Sequence, residues 1–176
     1  MSIMGKFTYD DVARYSFRFE DVSEPLKEYK VNIDGSLTET ETSCSLLGVE
    51  QDGKWGWIDT SGSFVISPVF DSGFVVCYNG IIILDKNGCQ GGLYRDNLER
   101  AFRFQYRVLG HFWRDTYVAW NANDRCALVK PGDIMLTSFA YKGFSKYNQG
   151  KITEYKKSGF FGDTTGYIDL ETGIEQ

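Results

Sequence analysis

One motif recurs along this chain: a short apolar stretch that runs into a turn containing aspartate or glycine. It is clearest at 54–74, KWGWIDTSGSFVISPVFDSGF, and the stretches 125–144 and 166–176 follow the same order of apolar and turn residues. A weaker copy, IIILDKNGCQ, stands at 81–90. Because each segment of a self-similar series forms one supersecondary unit, the chain is predicted to fold as copies of a single unit.

Each copy has the residues of a β-hairpin. Asp59, Asp85 and Asp169 take equivalent turn positions, where an aspartate side chain can accept hydrogen bonds from the backbone amides that follow it. A glycine such as Gly62 supplies the left-handed residue at which the return strand begins. These aspartates are therefore interpreted as turn formers rather than as paired catalytic carboxylates.

The composition favours strands over helices. Aromatic residues make up 16% of the chain, and there are 19 glycines but only 3 prolines. Aromatic side chains suit half-buried pleated surfaces, and glycines allow many tight turns. A length of 176 residues fits one domain. We therefore predict a single, mostly β domain over 1–176: an antiparallel meander of repeated β-hairpins with about ten to fourteen short strands and few short helices.

Two regions do not follow the repeat, and each is predicted to contain a helix and then a strand. TYDDVARY at 8–15 begins with residues spaced as a capping box, and DNLERAF at 96–102 is a second candidate helix. The stretches YSFRFEDV at 15–22 and AFRFQYRV at 101–108 alternate aromatic with charged or polar residues, which predicts strands with one apolar face.

The stretch 54–74 resembles a WG repeat, also called a KWG repeat, in which lysine, tryptophan and glycine precede an aromatic residue, isoleucine and aspartate. The matching residues are Lys54, Trp55, Gly56, Trp57, Ile58, Asp59, Gly62, Pro68, Phe70 and Asp71. The match is weaker over 125–144 and 166–174, so the resemblance covers about half of the chain. The family implies an array of short hairpin units and a binding role rather than catalysis. Its structural positions here are Trp55, Gly56, Trp57, Asp59, Gly62, Gly166, Tyr167 and Asp169.

In the clearest copy, a glycine lies between two tryptophans. Side chains alternate faces along a strand, so Trp55 and Trp57 point away from the face on which Gly56 leaves a gap. The packing interpretation is that an aromatic ring of a neighbouring repeat fills this gap. Gly56→Val is then expected to destabilise the fold by at least about 1 kcal/mol. The alternative is that the two tryptophans form a stacking platform for a sugar or a base.

The negative charge is concentrated near the N-terminus. Residues 1–52 hold 11 of the 24 acidic residues but only 5 of the 19 basic ones, whereas residues 53–176, with the hairpin units, carry a net charge of +1. Such an acidic part would attract a basic partner and repel the backbone of a nucleic acid. A solvated acidic face without a partner is the structural alternative.

The sequence therefore predicts a non-catalytic protein-binding module. Its sharper form is an immunity protein that binds and neutralises a basic bacterial toxin, steered by acidic side chains and anchored by tyrosines. The predicted partner-binding residues are Tyr9, Asp10, Asp11, Tyr15, Glu20, Asp21, Tyr29, Glu39 and Glu41. The alternative function is glycan binding by exposed tryptophans, which would be Trp55, Trp57, Trp113 and Trp120.

Signals for catalysis, metals and nucleic acid are weak. His111 is the only histidine, which excludes histidine-based metal clusters, and no glycine-rich phosphate loop or Gly-x-Ser-x-Gly motif is present. We therefore expect no enzyme activity, metal or cofactor. The arginines between positions 95 and 114 alternate with aromatic residues, as on a surface for single-stranded nucleic acid, but the net charge of −5 argues against that partner.

Cysteine usage and the apolar runs bear on the compartment. The cysteines Cys44, Cys77, Cys89 and Cys126 form no CxxC pair and are expected to be reduced thiols. The first ten residues lack the basic and apolar segments of a secretory signal, and the longest apolar run, 81–84, is too short for a membrane span. We therefore expect a cytoplasmic protein without a membrane partner. Free strand edges would allow a dimer.

Overall fold

The computed structural model describes residues 7–32, 36–40, 46–145 and 150–176. These residues form one short helix and many short strands. In chain order the elements are α1 (Tyr9–Ser16), β1 (Asp21–Pro25), β2 (Glu28–Val31), β3 (Leu37–Glu39), β4 (Leu47–Gln51), β5 (Lys54–Ile58), β6 (Phe64–Phe70), β7 (Val76–Tyr78), β8 (Ile81–Lys86), β9 (Cys89–Tyr94), β10 (Arg100–Tyr106), β11 (Val108–Trp113), β12 (Thr116–Trp120), β13 (Cys126–Lys130), β14 (Ile134–Met135), β15 (Tyr141–Phe144), β16 (Ile152–Gly159) and β17 (Gly162–Asp169).

The strands form three open sheets. The first has the order β1-β4-β5-β6, the second β10-β9-β8-β7-β2-β3, and the third β11-β12-β13-β15-β16-β17, with β14 paired to β13. Most neighbours are consecutive and antiparallel, which confirms the predicted mostly β fold of hairpins. The pairing of β2 with β7 is parallel instead, with Tyr29 opposite Tyr78. There are more strands than expected because β3, β7 and β14 have only two or three residues each.

The turns at Asp59 and Asp169 have the predicted geometry, but the third predicted turn former, Asp85, lies within β8, paired with Gln90. Oδ1 of Asp59 accepts hydrogen bonds from the amides of Ser61 and Ser63, at 2.8 and 3.2 Å. Oδ1 of Asp169 likewise accepts from the amides of the two residues 171 and 172, at 2.8 and 3.0 Å. Each turn then reaches a left-handed glycine, with a φ of 81° at Gly62 and 72° at position 173. The first and last copies therefore contain the same turn.

Two other turns vary this chemistry. The connection between β8 and β9 consists of Asn87 and Gly88, both with positive φ, so it is a two-residue hairpin loop of the type that favours this dipeptide. Between β12 and β13, Oδ1 of Asn121 accepts hydrogen bonds from the amides of Asn123 and Arg125, at 2.9 and 3.1 Å. This asparagine turn repeats the geometry of Asp59, but its sequence does not match the repeat because asparagine replaces aspartate.

Backbone, and not an aromatic ring, fills the gap at Gly56. A Cβ at Gly56 would lie 2.7 Å from the carbonyl oxygen of Ile66 and 2.7 Å from the nitrogen of Pro68. The pairing of β5 with β6 is irregular at this point, so β6 bulges over the glycine. The expected arrangement is found at Gly166, where a Cβ would lie 2.6 Å from the hydroxyl oxygen of Tyr155.

The helix predictions have opposite outcomes. The capping box of α1 is present, with Thr8 and Asp11 bonded to each other's backbone amides, at 3.0 and 3.2 Å. The predicted helix at 96–102 is wrong. Leu98 has a φ of 59°, and its amide donates to the carbonyl of Tyr94, which closes a tight turn before β10. A left-handed residue ends a helix rather than continuing it.

One of the two predicted aromatic strands is also wrong. The segment 101–108 contributes to β10 as expected, with Phe102 and Tyr106 buried and Arg103 exposed. The segment 15–22 instead begins inside α1 and becomes a strand only at residue 21. The amides of the two residues after Phe17 donate to the carbonyl of Tyr15 and end the helix there. Phe17 lies at this helix end and is 94% exposed.

A shared core cluster joins the first two sheets. Trp57, Ile66 and Phe70 of the first sheet pack in one cluster with Ile82 and Leu84 of the second. The rings of Trp57 and Phe70 meet edge to face, with centroids 5.7 Å apart. This burial fixes the two sheets against each other and defines the sides of the groove described below. Among the described residues, no helix is long and apolar enough to cross a membrane.

Candidate functional site: a groove between the first and second sheets

A groove of about 680 Å³ lies between edge strand β1 and the chain that connects β6 to β7. Residues of β1 and β2 form one side, and the stretch 71–76 forms the other. Volumes of this size are typical of sites that enclose a small ligand or several side chains of a partner. The lining side chains with polar or aromatic groups include Asp21, Glu24, Tyr29, Trp55, Asp71 and Phe74.

Two aromatic side chains, Trp55 and Phe74, lie in the apolar part of the groove. Trp55 is half-buried and packs so closely on Gly73 that a Cβ there would overlap its indole. Phe74 is 80% exposed, and its amide donates to the hydroxyl of Ser72 at 3.0 Å, which holds this corner of the chain. One ring is therefore fixed by packing, and the other is presented to solvent on a restrained backbone.

The rim of the groove has a net negative charge. Glu24 lies 3.6 Å from the ammonium of Lys27, and Asp71 lies 2.7 Å from that of Lys54. The hydrogen bond from Lys54, with a second from the amide of Gly88, holds the pKa of Asp71 below its ordinary value. Asp21 adds the third carboxylate, and its Oδ1 accepts from the amide of the next residue at 2.8 Å. Two cations therefore face three anions.

Only some of the predicted partner-binding residues line the groove. Asp21 and Tyr29 line the groove, whereas Tyr9 and Asp10 lie exposed on α1. Glu39 is exposed on β3, where it is paired with Tyr29 across the second sheet. Only part of the predicted acidic face therefore meets the groove.

Three further predicted partner-binding residues make contacts within the fold. Tyr15 is only 3% exposed and donates its hydroxyl to the carbonyl of Thr60 at 2.9 Å, so it is a core residue and cannot anchor a partner at the surface. Asp11 caps α1, and the backbone hydrogen bond from Thr8 lowers its pKa. Glu20 accepts from the amide of residue 53 at 3.1 Å. Glu41 lies outside the described residues.

The tryptophans are unequal as candidates for a sugar platform. Trp57 is 1% exposed and Trp113 is 7% exposed, so both are core residues. The proposed pair of Trp55 and Trp57 therefore does not form one exposed platform. Trp55 and Trp120 are half-buried, and Trp55 is the one that lines the groove.

His111 belongs to a packed cluster. Its Nε2 lies 2.6 Å from the carbonyl oxygen of Arg114 and 3.1 Å from the side-chain nitrogen of Asn79, and its ring meets that of Tyr117 edge to face. Burial lowers the pKa of His111. In the part of the chain that the structure describes, no group of three or more histidine, cysteine, aspartate or glutamate side chains could hold a metal ion.

Three strongly exposed aromatic residues have no role predicted from the sequence. Phe74, Phe160 and Phe161 are 80%, 96% and 100% exposed. An apolar residue beside a turn glycine, as in SGF at 72–74 and SGFFG at 158–162, is the signal that all three share.

Comparisons with known proteins assign no family to the chain. No family model matches it, and no curated protein matches it. Among solved structures it is similar to Hsv2 of Kluyveromyces lactis, with 15% identity and a TM-score of 0.42 over 88% of this chain and 47% of that one. It is also similar to the N-terminal domain of Nup159, with 12% identity and a TM-score of 0.40 over 86% and 43%. The chain therefore spans less than half the length of either protein.

Proposed function

We propose that this chain is a non-catalytic protein-binding module that holds an extended, basic segment of a partner in the groove between β1 and residues 71–76. The observation that carries the proposal is the combination of exposed aromatic surface with an acidic rim in one concave site. An apolar groove with a few charged groups at its rim is the usual form of a peptide-binding site.

The aromatic side chains supply the anchoring surface. Phe74 exposes most of its ring, and Trp55 and Tyr29 each expose part of theirs within the same groove. A contiguous exposed apolar patch often marks an interaction site, and aromatic residues are frequent centres of binding energy. The partner segment is therefore expected to contribute apolar side chains to this groove.

The position of β1 favours an extended partner. β1 is an edge strand of the first sheet, and each of its residues from Asp21 to Pro25 lines the groove. An edge strand offers backbone groups to which another strand can pair. The partner is therefore expected to lie along β1 with alternate side chains directed toward Trp55 and Phe74.

The charge indicates a basic partner, of which a toxin neutralised by an immunity protein is one form. The net charge of residues 1–52 is −6, and Asp21 and Glu24 bring part of it to the rim of the groove. Attraction between opposite charges increases the rate of association with a basic protein, and this attraction weakens as salt is added. The toxin-neutralising role is tested by the loss of activity of a basic toxin from the same source when this protein is added.

The direct test is titration with peptides of about ten residues in which lysine alternates with leucine or phenylalanine, because that pattern suits strand pairing. Fluorescence anisotropy is measured with the wild type, with Phe74→Ser and with Phe17→Ser. Phe17 is a matched control because it is 94% exposed and lies outside the groove lining. We expect Phe74→Ser to weaken binding about tenfold or more and Phe17→Ser to leave it unchanged.

Two outcomes would contradict the groove proposal. One is equal binding by the wild type and Phe74→Ser, which would place the peptide elsewhere. The other is stronger binding of a peptide in which glutamate replaces every lysine.

Glycan binding is the second candidate, supported by the half-buried indole of Trp55 in the groove. A saturable change in tryptophan fluorescence with oligosaccharides that is lost in Trp55→Leu would favour it over the protein partner.

A further inference from the structure

The hairpin of β16 and β17 carries two phenylalanines at its tip. Phe160 and Phe161 are 96% and 100% exposed, and their rings meet edge to face with centroids 5.0 Å apart. They connect Gly159 to Gly162, which are the last paired residues of the hairpin. Tight turns usually contain glycine, asparagine or aspartate, and these two rings add nothing to the core, so folding alone does not account for them.

The surroundings of this tip are basic, in contrast to the acidic chain as a whole. Four basic side chains lie on or beside this end of the hairpin, Lys142, Lys156, Lys157 and Arg125, and their ion pairs involve two carboxylates, those of Asp163 and Glu175. Next to the tip, Lys142 and Lys156 share a single carboxylate, that of Asp163. Arg125 also reaches the hairpin, where it donates to the hydroxyl of Ser158 at 3.2 Å. The two exposed rings therefore lie among excess positive charge.

We propose that this hairpin enters the groove of a second copy of the chain, so that copies associate head to tail. The inference rests on the groove proposed above as a binding site. Phe160 and Phe161 would pack against Trp55 and Phe74, while the cations beside the tip would meet Asp21 and Glu24 at the rim. A groove of about 680 Å³ has room for two phenyl rings.

The two surfaces lie on different parts of the fold. The groove lies between the first and second sheets, and the hairpin belongs to the third. One chain can therefore offer its groove and its hairpin to two different neighbours. A contact between two unlike surfaces forms a ring if the rotation closes and an open filament if it does not, rather than a symmetric dimer.

The association is expected to be weak and sensitive to salt. A contact formed by a hairpin tip and a groove falls in the size class of transient complexes, below about 1,200 Å² of total buried surface. Exposed charges at its rim are screened at high ionic strength. Self-association should therefore be measured over a wide range of protein concentration at low salt and repeated at high salt.

Sedimentation velocity with two complementary variants tests the proposal. The tip variant carries Phe160→Ser and Phe161→Ser, and the groove variant carries Phe74→Ser, Asp21→Lys and Glu24→Lys. We expect the average mass of the wild type to rise with concentration and each variant alone to remain monomeric. A mixture of the two should form a dimer and nothing larger, because one variant keeps the groove and the other keeps the tip.

Phe17→Ser is the matched control, since it removes an equally exposed ring that lies on neither surface, and it should associate as the wild type does. The changes in both variants concern exposed or rim side chains, so thermal unfolding midpoints should stay close to that of the wild type. These midpoints separate lost contact from lost folding.

Two outcomes would overturn self-association. The wild type could remain monomeric throughout, or the tip variant could associate like the wild type. If the wild type is monomeric and binds vesicles of phosphatidylserine and phosphatidylcholine through Phe160 and Phe161, the tip is assigned to a lipid surface instead. If the wild type stays monomeric but lysine-rich peptides still bind the groove, only this inference fails. If peptides also fail to bind, the proposed function fails with it.

Discussion

The indole of Trp55 occupies the space that a side chain at Gly73 would need. A Cβ on Gly73 would overlap the ring, and even the third-nearest ring atom, Cδ2, would lie 2.5 Å away. The glycine thus lets the stretch 71–76 cross directly over the tryptophan and form one side of the groove. The shape of the groove therefore depends on the absence of a side chain at Gly73.

Gly73→Ala is predicted to destabilise the protein and to change the groove. A methyl group cannot fit beside a rigid indole without moving it, and overpacking of this kind costs about 1–3 kcal/mol. Chemical denaturation monitored by circular dichroism measures this loss, and tryptophan emission reports the displaced ring. Peptide binding should weaken together with stability.

Gly110→Ala is the matched control. Gly110 lies in β11, close in sequence to aromatic residues. A Cβ at this position would have no neighbour within 4 Å. Its substitution should change the free energy of unfolding by no more than about 0.5 kcal/mol. Equal effects of the two substitutions would show that packing on Trp55 is not the cause.

The glycines of the repeat are predicted to differ in their tolerance of alanine. At Gly56 the obstacle is the backbone of β6 at Ile66 and Pro68, which cannot rotate away. At Gly166 it is the hydroxyl end of the Tyr155 ring, a side chain that can rotate away if its hydrogen bond to Glu175 is given up. Gly56→Ala should therefore cost about 2 kcal/mol or more, and Gly166→Ala about 1 kcal/mol or less.

Urea denaturation of the two variants measures this difference, and Gly56→Val should be at least as damaging as Gly56→Ala. The reverse order would mean that β6 can shift away from the bulge while Tyr155 is held firmly in place.

Local chemistry made the hairpins predictable. The turns at Asp59 and Asp169 are set by hydrogen bonds to amides two to four residues away, so the sequence alone contains their cause. The capping box of α1 is local in the same way. The strand predicted at 15–22 is wrong because the first two of these residues belong to α1, which ends at Ser16.

The groove could not be predicted because it is not local. Its sides come from residues 21–29 and 71–76, which meet only after the first two sheets pack around their shared core cluster. The parallel pairing of β2 with β7 joins residues about 50 positions apart. The exposure of Phe74 could not be predicted either. An aromatic residue in such a stretch fits a buried face of a strand as well as it fits the exposed position that Phe74 takes.

The cysteines are predicted to differ in reactivity. Burial raises the pKa of Cys126 to about 12, and its thiol donates to the carbonyl of Tyr141 at 3.6 Å. Cys89 is half-buried at the start of β9. Because the thiolate is the reactive form, iodoacetamide should modify Cys89 at least about ten times faster than Cys126 in the folded protein.

Peptide mass spectrometry follows each thiol separately. Modification of Cys44, which lies outside the described residues, is therefore distinguished from that of Cys89 and Cys126. In urea the two rates should become similar. Fast modification of Cys126 under native conditions would show that β13 opens readily.

Glu175 is predicted to make stability depend on acid pH. Its carboxylate accepts hydrogen bonds from Lys157, from Tyr141 at 2.5 Å and from Tyr155 at 2.8 Å. These donors lower the pKa of Glu175 from 4.5 to about 2. The group therefore binds its proton more weakly in the folded state, so its stabilising contribution is complete above about pH 4.5 and is lost as the pH falls through about 2.

Thermal unfolding of the wild type and Glu175→Gln between about pH 2 and pH 6 tests this linkage. The variant should melt at a lower temperature than the wild type at pH 6, and the two midpoints should converge toward pH 2, where the wild-type carboxyl becomes neutral as well. Glu154→Gln removes an exposed carboxylate from β16 and should stay close to the wild type throughout. A gap for Glu175→Gln that is constant with pH would show that the loss comes from altered packing and not from the charge, because only the ionised form depends on Lys157 and the two tyrosines.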